Sequence, residues 1–272
     1  MSSLPMVIMG RIAPQLALGS RRSGRLIERN IYVYRRSWII IFSGFFEPIF
    51  YLLGIGIGLG RLVGDVTGPG GAPISYTLFV APALLATASM NGAILEATFN
   101  FFFKLRWQKT FDAILATPMA VADVAIGELG WALIRGGLYA IAFMIVIAAF
   151  GLLTTPSALL AIPAALLVGF AFGALAMAAT TFMRTWQDFD LIQMVILPLF
   201  LFSGTFFPLE TYPEPLRLLV QLTPLYHGVD LIRSLIVGVL SPGLLVHVAY
   251  LTAMGLIGLV VVSRRLDKLL RT

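Results

Sequence analysis

The chain has 272 residues, of which 59% are hydrophobic and only 12% are charged, and its mean hydropathy is +0.93. Soluble globular domains carry about 25% charged residues, so this composition excludes an ordinary soluble protein and indicates an all-α integral membrane protein. The absence of cysteine excludes disulfides and thiolate metal sites, and the net charge of +6 is dispersed among apolar segments, so we expect no nucleic-acid partner.

The segment before the first long apolar run predicts an amphipathic helix. Ile27, Ile31, Tyr34 and Trp38 recur at helical spacing, with arginines close by. Such a helix lies in the headgroup region with its apolar stripe in the lipid and its arginines near anionic headgroups. The alternative is a basic arm that is only solvated. Residues 1–38 are therefore predicted to form a cytoplasmic arm and interfacial helix.

Six apolar runs are long enough to cross a bilayer, since a core of about 30 Å needs about 20 helical residues. They cover about 39–60, 76–98, 124–150, 157–181, 190–207 and 243–262. We expect them to form one transmembrane domain, 39–262, followed by a cytoplasmic tail, 263–272.

The basic residues predict the orientation. Seven arginines precede the first span, three basic residues follow the second, one follows the fourth and four follow the sixth, which accounts for 15 of the 19. Arg61, Arg217 and Arg233 lie on the other side, and Arg135 falls inside the third span. By the positive-inside rule, both termini and the loop 101–123 are cytoplasmic.

Four glycines alternate along the first span: Gly54, Gly56, Gly58 and Gly60. Their spacing differs from the G-x-G-x-x-G of nucleotide-binding loops and instead gives two overlapping G-x-x-x-G pairs, which allow helix backbones to approach closely. The packing could lie within the subunit or across a dimer.

Ionisable side chains inside spans are costly and often functional. Glu47 lies in the first span, Glu96 near the cytoplasmic end of the second, and Glu128 and Arg135 seven residues apart on one face of the third. Glu47, Glu128 and Arg135 are candidates for the polar lining of a substrate path. The alternative is mutual pairing, or snorkelling at the membrane boundary.

The loop 101–123 predicts a short amphipathic helix. Trp107, Phe111, Ile114 and Leu115 share one face at helical spacing. Pro118 disfavours helical geometry at the residue before it, so the helix should end at Thr117, which could then cap the next helix with Pro118 at its first position. The alternative is a helix that merely rests on lipid.

The segment 203–242 is too apolar for an exposed loop, yet prolines interrupt it. Two short helices, at about 213–222 and 226–238, that enter and leave the outer leaflet fit both observations. His227 and Asp230 are spaced at i and i+3, but two ligands make a weak metal site, so we predict no metal. Nor does the sequence contain a convincing catalytic constellation.

No Walker A motif occurs in the sequence, so ATP-driven work would require another chain. Four stretches follow one another: "FFEPIFYLLGIGIGLG", "KTFDAILATPMAVAD", "LPLFLFSGTFFPLETYP" and "LTPLYHGVDLIR". Together they resemble the ABC-2 type permeases, most closely the branch that includes nodulation-factor (lipo-oligosaccharide) export and daunorubicin-resistance permeases. The resemblance covers about residues 25 to 262.

This resemblance implies that the cytoplasmic loop is a coupling helix docked in a cleft of a separate ABC ATPase subunit. The residues assigned to it are Lys104, Arg106, Trp107, Lys109, Thr110, Phe111, Asp112, Ile114, Leu115, Thr117 and Pro118. Family members pair two permeases, identical or different, with two ATPases. The first and fifth spans meet across the dimer, which favours an intersubunit role for the glycines.

The resemblance also implies the function. We expect an exporter of an amphipathic substrate, either a hydrophobic drug, a lipid or a lipid-linked saccharide, in the bacterial inner membrane. This chain would bind no cofactor and hydrolyse no ATP, because ATP and Mg belong to the partner. The alternative is an ion-coupled secondary transporter or channel that works alone, with Glu47, Glu96, Glu128 and Arg135 as a proton or ion relay.

Overall fold

The computed structural model describes residues 22–35 and 46–270, apart from the side chains of Glu47 and Pro48. The helices in these ranges are α1 (Ser23–Arg35), α2 (Phe46–Tyr51, a π-helical part Leu52–Leu59 and a last turn Gly60–Val63), α3 (Tyr76–Trp107), α4 (Thr110–Leu115), α5 (Val121–Ala149), α6 (Pro156–Thr180), α7 (Phe189–Leu201), α8 (Glu214–Leu222), α9 (Pro224–Val237) and α10 (Leu244–Leu270). Strands β1 (Asp65–Thr67) and β2 (Pro73–Ser75) pair antiparallel between α2 and α3.

Four helices of the described part are long and apolar enough to cross a membrane: α3, α5, α6 and α10. They correspond to the second, third, fourth and sixth predicted spans. The first predicted span, 39–60, begins outside the described residues, and its described part is a shorter apolar helix, Ile49–Val63. The chain is thus a helical, multi-pass membrane protein, whereas the prediction of six full spans is not confirmed.

The fifth predicted span, 190–207, is only partly helical. α7 has 13 residues, or about 20 Å, which is less than a bilayer core. Helical geometry is lost at Phe202, whose φ and ψ are −113° and +36°, and the backbone then turns at Gly204, whose φ is +68°. The Arg233 guanidinium donates to the Gly204 carbonyl at 2.7 Å, and thereby satisfies a backbone group that helix geometry no longer pairs.

α3 is longer than its predicted span of 76–98. Ser75 caps its first turn, where its hydroxyl accepts from the Leu78 amide at 3.4 Å, and the helix continues through two π-helical turns, Glu96–Asn100 and Phe103–Trp107. Its buried lysine, Lys104, is paired within the protein. The charge therefore does not mark the end of the helix, and α3 extends nine residues beyond the predicted boundary.

The core is formed where α6 packs against α3, α5, α9 and α10. α10 approaches α6 closely at Gly258, where a Cβ atom would lie 2.7 Å from the backbone carbonyl carbon of Ala174. Backbone atoms cannot move aside as a flexible side chain can, so any larger residue would separate the two helices. α10 then continues to Leu270, through most of the predicted tail.

α1 packs on the protein rather than only on lipid. Leu26 and Asn30 are buried, and a Cβ at Gly127 of α5 would lie 2.8 Å from the Cβ of Leu26. Ile31, predicted to lie in the apolar stripe, is 48% exposed, and Trp38 lies outside the described residues. The packed face is shifted because it faces α5 of the same chain.

Candidate functional site: the loop around α4, the buried ion pairs and the end of α9

The predicted coupling segment is divided between two helices. Lys104, Arg106 and Trp107 belong to the last turns of α3, and α4 begins only at Thr110. Lys109 separates the helices with φ +47°, a left-handed conformation that non-glycine residues seldom adopt. The prediction of one helix from about Lys104 is therefore wrong, because the backbone at Lys109 interrupts the helical geometry between α3 and α4.

α4 is fixed to the subunit through its apolar face. Phe111 is fully buried, and its ring centroid lies 5.1 Å from that of Phe101 in α3. Ile114 and Leu115 are half-buried against the same core. Trp107 does not share this face, because it is the last residue of α3 and its side chain is 62% exposed. Its ring centroid lies 4.6 Å from that of Phe103.

The opposite side of the loop is exposed. It consists of Gln108, Lys109, Asp112, Ala113, Ala116, Thr117 and Pro118. A groove of about 360 Å³ runs between α1 and α4, lined by apolar atoms of Leu26, Ala113, Ile114 and Met119 among others. The loop thus has one side packed on the membrane helices and another available to a partner.

The connection between α4 and α5 differs from the prediction that Thr117 caps the next helix. The Thr117 hydroxyl donates back to the Ile114 carbonyl at 2.6 Å, so it closes α4 rather than capping the next helix. α5 begins at Val121, and Asp123 in its first turn accepts from the Ala120 amide at 2.8 Å. A carboxylate there satisfies an open amide and complements the helix dipole. Arg22 donates to the Pro118 carbonyl and ties α1 to this loop.

Glu128 of α5 forms a buried ion pair with Lys104 of α3. Lys104 Nζ lies 2.6 Å from Glu128 Oε2, with the side chains 11% and 3% exposed. Asn30 of α1 completes the cluster, since its amide donates to Glu128 Oε1 and its carbonyl accepts from Lys104, both at 3.3 Å. One polar cluster therefore joins α1, α3 and α5.

A second buried pair lies two turns further along α5. Arg135 donates to Glu96 Oε2 at 2.5 Å and to the Tyr139 hydroxyl at 3.1 Å. Asn100 donates to the same Glu96 oxygen at 2.7 Å. Tyr34 of α1 lies 3.5 Å from the other Glu96 oxygen, and burial, together with the Glu96 charge, raises the pKa of Tyr34 to about 12.

These pairs bear on the predicted polar path. Glu128 and Arg135 face the same way, toward α3, as their spacing predicted, but each is neutralised by a residue of α3 rather than by the other. This arrangement favours a structural role over a substrate-path lining. The Glu47 side chain lies outside the described atoms.

The alternating glycines face two directions. A Cβ at Gly60 would lie 2.9 Å from Thr77 Oγ1 of α3, and the Thr77 hydroxyl donates to the Gly56 carbonyl at 2.7 Å. Gly54 has open space around its Cα, and Gly58 is near only its own helix. Gly56 and Gly60 therefore pack within the subunit, whereas the face of Gly54 and Gly58 remains available for a second subunit.

This division predicts opposite outcomes for two substitutions. Gly60→Leu forces a side chain into Thr77 and should destabilise the subunit by about 1–3 kcal/mol, as overpacking does. Gly54→Leu should leave the unfolding temperature unchanged while it lowers the dimer fraction. Thermal unfolding and light scattering of the two detergent-purified variants provide the comparison, and equal unfolding temperatures would contradict the assignment.

α7 contacts the rest of the subunit along one side, where the Phe189 ring packs on Phe99 and Phe102 and the Phe200 ring packs on Tyr51. None of its 13 residues is buried, and the exposed fractions of Leu191, Met194 and Leu197 are 64%, 75% and 60%. Between α2 and the end of α7 lies an apolar cavity of about 730 Å³, lined by side chains that include Ile55, Phe200 and Phe206. Both features lie beside α2, since Phe200 contacts Tyr51 and the side chains of Ile55 and Leu59 line the cavity.

Where α9 meets α10, the fold brings together residues that are far apart in the sequence. The predicted i and i+3 pair, His227 and Asp230, meets His247 of α10, whose ring nitrogens contact both of them. Sequence spacing could not place His247 there, because it lies on another helix. In the described part of the chain no group of three or more His, Cys, Asp or Glu side chains could hold a metal ion.

A family model for the ABC-2 type transporter matches residues 24–237, a range that contains the loop, both ion pairs and α9. The chain therefore belongs to the ABC-2 type transporter family. It is the membrane subunit of an ABC transporter. Members of this family are transport subunits that lack an ATPase domain of their own.

Curated relatives carry the comparison further. The chain is 34% identical over 227 residues to "Nodulation protein J" of Rhizobium meliloti (strain 1021). The aligned residues cover 80% of this chain and 83% of the relative. It is 33% identical to "Nodulation protein J" of Rhizobium leguminosarum bv. trifolii, covering 78% and 79% of the two chains. The protein of the same name from Azorhizobium caulinodans is 26% identical, with 89% and 96% covered. The predicted branch of the family is thus confirmed.

Proposed function

We propose that this chain is the permease of an exporter that moves an amphipathic substrate outward across the bacterial inner membrane. A separate ABC ATPase, in two copies, binds ATP and Mg and supplies the energy. The observation that carries the proposal is the loop geometry. α4 is fixed to the transmembrane core by Phe111, and its other side is exposed.

A force applied to that exposed side is transmitted to several helices. Phe111 contacts α3 through Phe101, Arg22 joins α1 to the loop, and the Lys104 pair joins α3 to α5. Buried charge pairs break only at high energetic cost, so these elements move as one body. Displacement of α4 by the ATPase would therefore shift α3 and α5 together.

We also propose that two permease subunits pair through α2 and α7. The exposed apolar surface of α7 and the open face at Gly54 support this pairing. Interfaces between membrane helices favour small residues, because they permit close backbone contact. The pairing would also enclose the apolar cavity between α2 and α7, which is large enough for a hydrophobic drug or for part of an acyl chain.

The orientation follows from charge. The excess of basic residues near α1, α4 and the end of α10 supports cytoplasmic termini and a cytoplasmic α4. The hairpin of β1 and β2 and the helices α8 and α9 would then lie on the outer side. An ion-coupled transporter that works alone is less well supported, because Glu96, Glu128 and Arg135 are engaged in fixed pairs.

The proposed contact with the ATPase can be tested by site-directed cross-linking. The chain has no cysteine, so Ala116→Cys places a single thiol on the exposed side of the loop. A thiol-to-amine cross-linker should join this variant to the ATPase in native membranes. Ala72→Cys, exposed near the β-hairpin, is the matched control and should give no such product. Absence of an ATPase adduct from Ala116→Cys would contradict the proposed docking.

A further inference from the structure

The two histidines of the chain lie against each other at the outer end. The Nδ1 atoms of His227 on α9 and His247 on α10 are 2.7 Å apart. His247 Nε2 lies 3.0 Å from Asp230 Oδ2, and the Tyr250 ring stacks on the His227 ring at 4.0 Å. Two i and i+3 pairs, one from each helix, thus form what we call the histidine cluster: His227, Asp230, His247 and Tyr250.

Hydrogen-bond chemistry limits the protons that this cluster can hold. An ionised Asp230 only accepts, so Nε2 of His247 carries a proton. In the neutral pair, Nδ1 of His247 then accepts from Nδ1–H of His227. One added proton leaves one donor and one acceptor between the rings, whichever ring carries it. A second added proton places N–H groups on both facing nitrogens and two like charges in contact, which breaks the bond.

We propose that the histidine cluster is a proton-binding site that joins α9 to α10 while it holds no more than one added proton, and that a second proton separates the two helices. The chemical ligand is the hydrated proton of the adjoining aqueous phase. Protons can reach the site, since the side chains of His247 and Asp230 are 14% and 30% exposed. That this phase is the cell exterior rests on the proposed orientation, whereas the pairing chemistry does not.

The charges around the cluster do not remove this limit. Asp230 is the carboxylate that contacts it, and Arg233, one turn further along α9, is directed away toward the carbonyls of Phe79 and Gly204. The rings of Tyr226 on α9 and Tyr250 on α10 contact the His227 ring, and burial, with the charges of Asp230 and Glu210, raises the pKa of Tyr226 to about 12. One carboxylate can balance one added proton but not two.

Release of α9 would matter because α9 supports the outer end. Through Arg233 it holds the turn at Gly204, which ends α7, and the carbonyl of Phe79 in α3. Ser157 and Thr155 of the α5 to α6 connection donate to carbonyls of Leu235 and Ile236 on the same helix. Loss of the contact with α10 would therefore loosen the outer ends of α3 and α7 together.

The titration direction agrees with the geometry. Burial, and then the neighbouring His247, lower the pKa of His227 to about 4. The pKa of a histidine in the unfolded chain is about 6.5, so the unfolded state binds more protons than the folded state between about pH 6.5 and 4. The stability contributed by the neutral His227 is thus present above about pH 6.5 and is lost as the pH falls toward 4.

The direct test uses the wild-type chain, because it contains only two imidazoles. Purified permease labelled with ¹⁵N-histidine in nanodiscs is titrated from pH 8 to 4 by NMR. We expect a scalar coupling across the Nδ1 to Nδ1 hydrogen bond that persists while the pair takes up one proton and disappears as the second binds. Two imidazoles that titrate independently, with no coupling between them at any pH, would overturn the proposal.

A second test uses substitution and is independent of NMR. His227→Phe keeps a ring against Tyr250 but can neither pair with His247 nor take up a proton. Its unfolding temperature should be lower than that of the wild type at pH 7.5 and equal or higher at pH 4.5, so the difference disappears or reverses as the pH falls. Control Tyr32→Phe, on the exposed face of α1, should show no such reversal. A difference that is the same at both pH values would contradict the proposal.

Discussion

Ala116→Arg should abolish transport while leaving the permease folded. The residue is exposed at the end of α4, so a long charged side chain can extend away from the subunit core and into the proposed ATPase contact. Loss of a central contact in an interface costs at least about 2 kcal/mol, or roughly 30-fold in affinity. We expect the ATPase to be lost on purification and the unfolding temperature to be unchanged.

Two comparisons make this result specific. Ala72→Arg, exposed near the β-hairpin, introduces the same side chain away from α4 and should retain the ATPase. Phe111→Ala is a less informative variant, because Phe111 is buried within the permease and its removal damages the subunit itself. If Ala116→Arg retained the ATPase and transported normally, α4 would not be the coupling helix.

Glu128→Ala should give the largest loss of stability. It leaves Lys104 buried without its carboxylate and Asn30 without an acceptor for its amide. Removal of one partner from a buried ion pair costs about 3–5 kcal/mol, against a total stability of about 5–15 kcal/mol. We expect little folded protein, measured as the monodisperse fraction after detergent extraction.

The control for that prediction is an exposed pair of the same chemistry. Arg25 and Glu28 on α1 lie 2.9 Å apart with side chains 80% and 57% exposed, and Glu28→Ala should cost at most about 1 kcal/mol. The double variant Lys104→Met with Glu128→Met should recover much of the folded fraction, because it removes both charges. Equal losses from Glu128→Ala and Glu28→Ala would contradict the structural role of the buried pair.

The sequence located most helices because hydrophobicity and helix capping are local. α5 and α6 begin and end within three residues of the predicted 124–150 and 157–181. Helices α8 and α9 also begin and end within two residues of their predicted ranges. At α9, Thr223 and Pro224 start the helix and Gly238, with φ +89°, ends it. The start and stop signals are therefore local residues at the two ends of the helix, which the sequence alone reveals.

Features that depend on contacts between helices could not be predicted in this way. A lysine near a predicted boundary indicates an aqueous loop, but Lys104 is buried against Glu128, 24 residues away, so α3 continues past it. α7 ends early because Arg233 of α9 supports a turn at Gly204. The faces of the four glycines likewise depend on Thr77 of α3.

In the candidate site, too, local features could be predicted from the sequence and contacts between helices could not. The sequence indicated the segment, its proline and its aromatic residues, but it placed Trp107 with Phe111 on one face. The left-handed turn at Lys109 separates them, and no local pattern marks a lysine for that conformation. Similarly, His227 and Asp230 looked like a weak pair until α10 brought His247 between them.

The central claim is that this chain transports only when a separate ATPase is docked on α4. The most direct measurement is affinity purification of the tagged wild-type permease from native bacterial membranes, with quantitative mass spectrometry and an ATP hydrolysis assay of the eluate. We expect an ABC ATPase in equal molar amount to the permease, with ATP hydrolysis that Ala116→Arg removes. A permease that purifies without any ATPase, and transports in proteoliposomes without ATP, would contradict the claim.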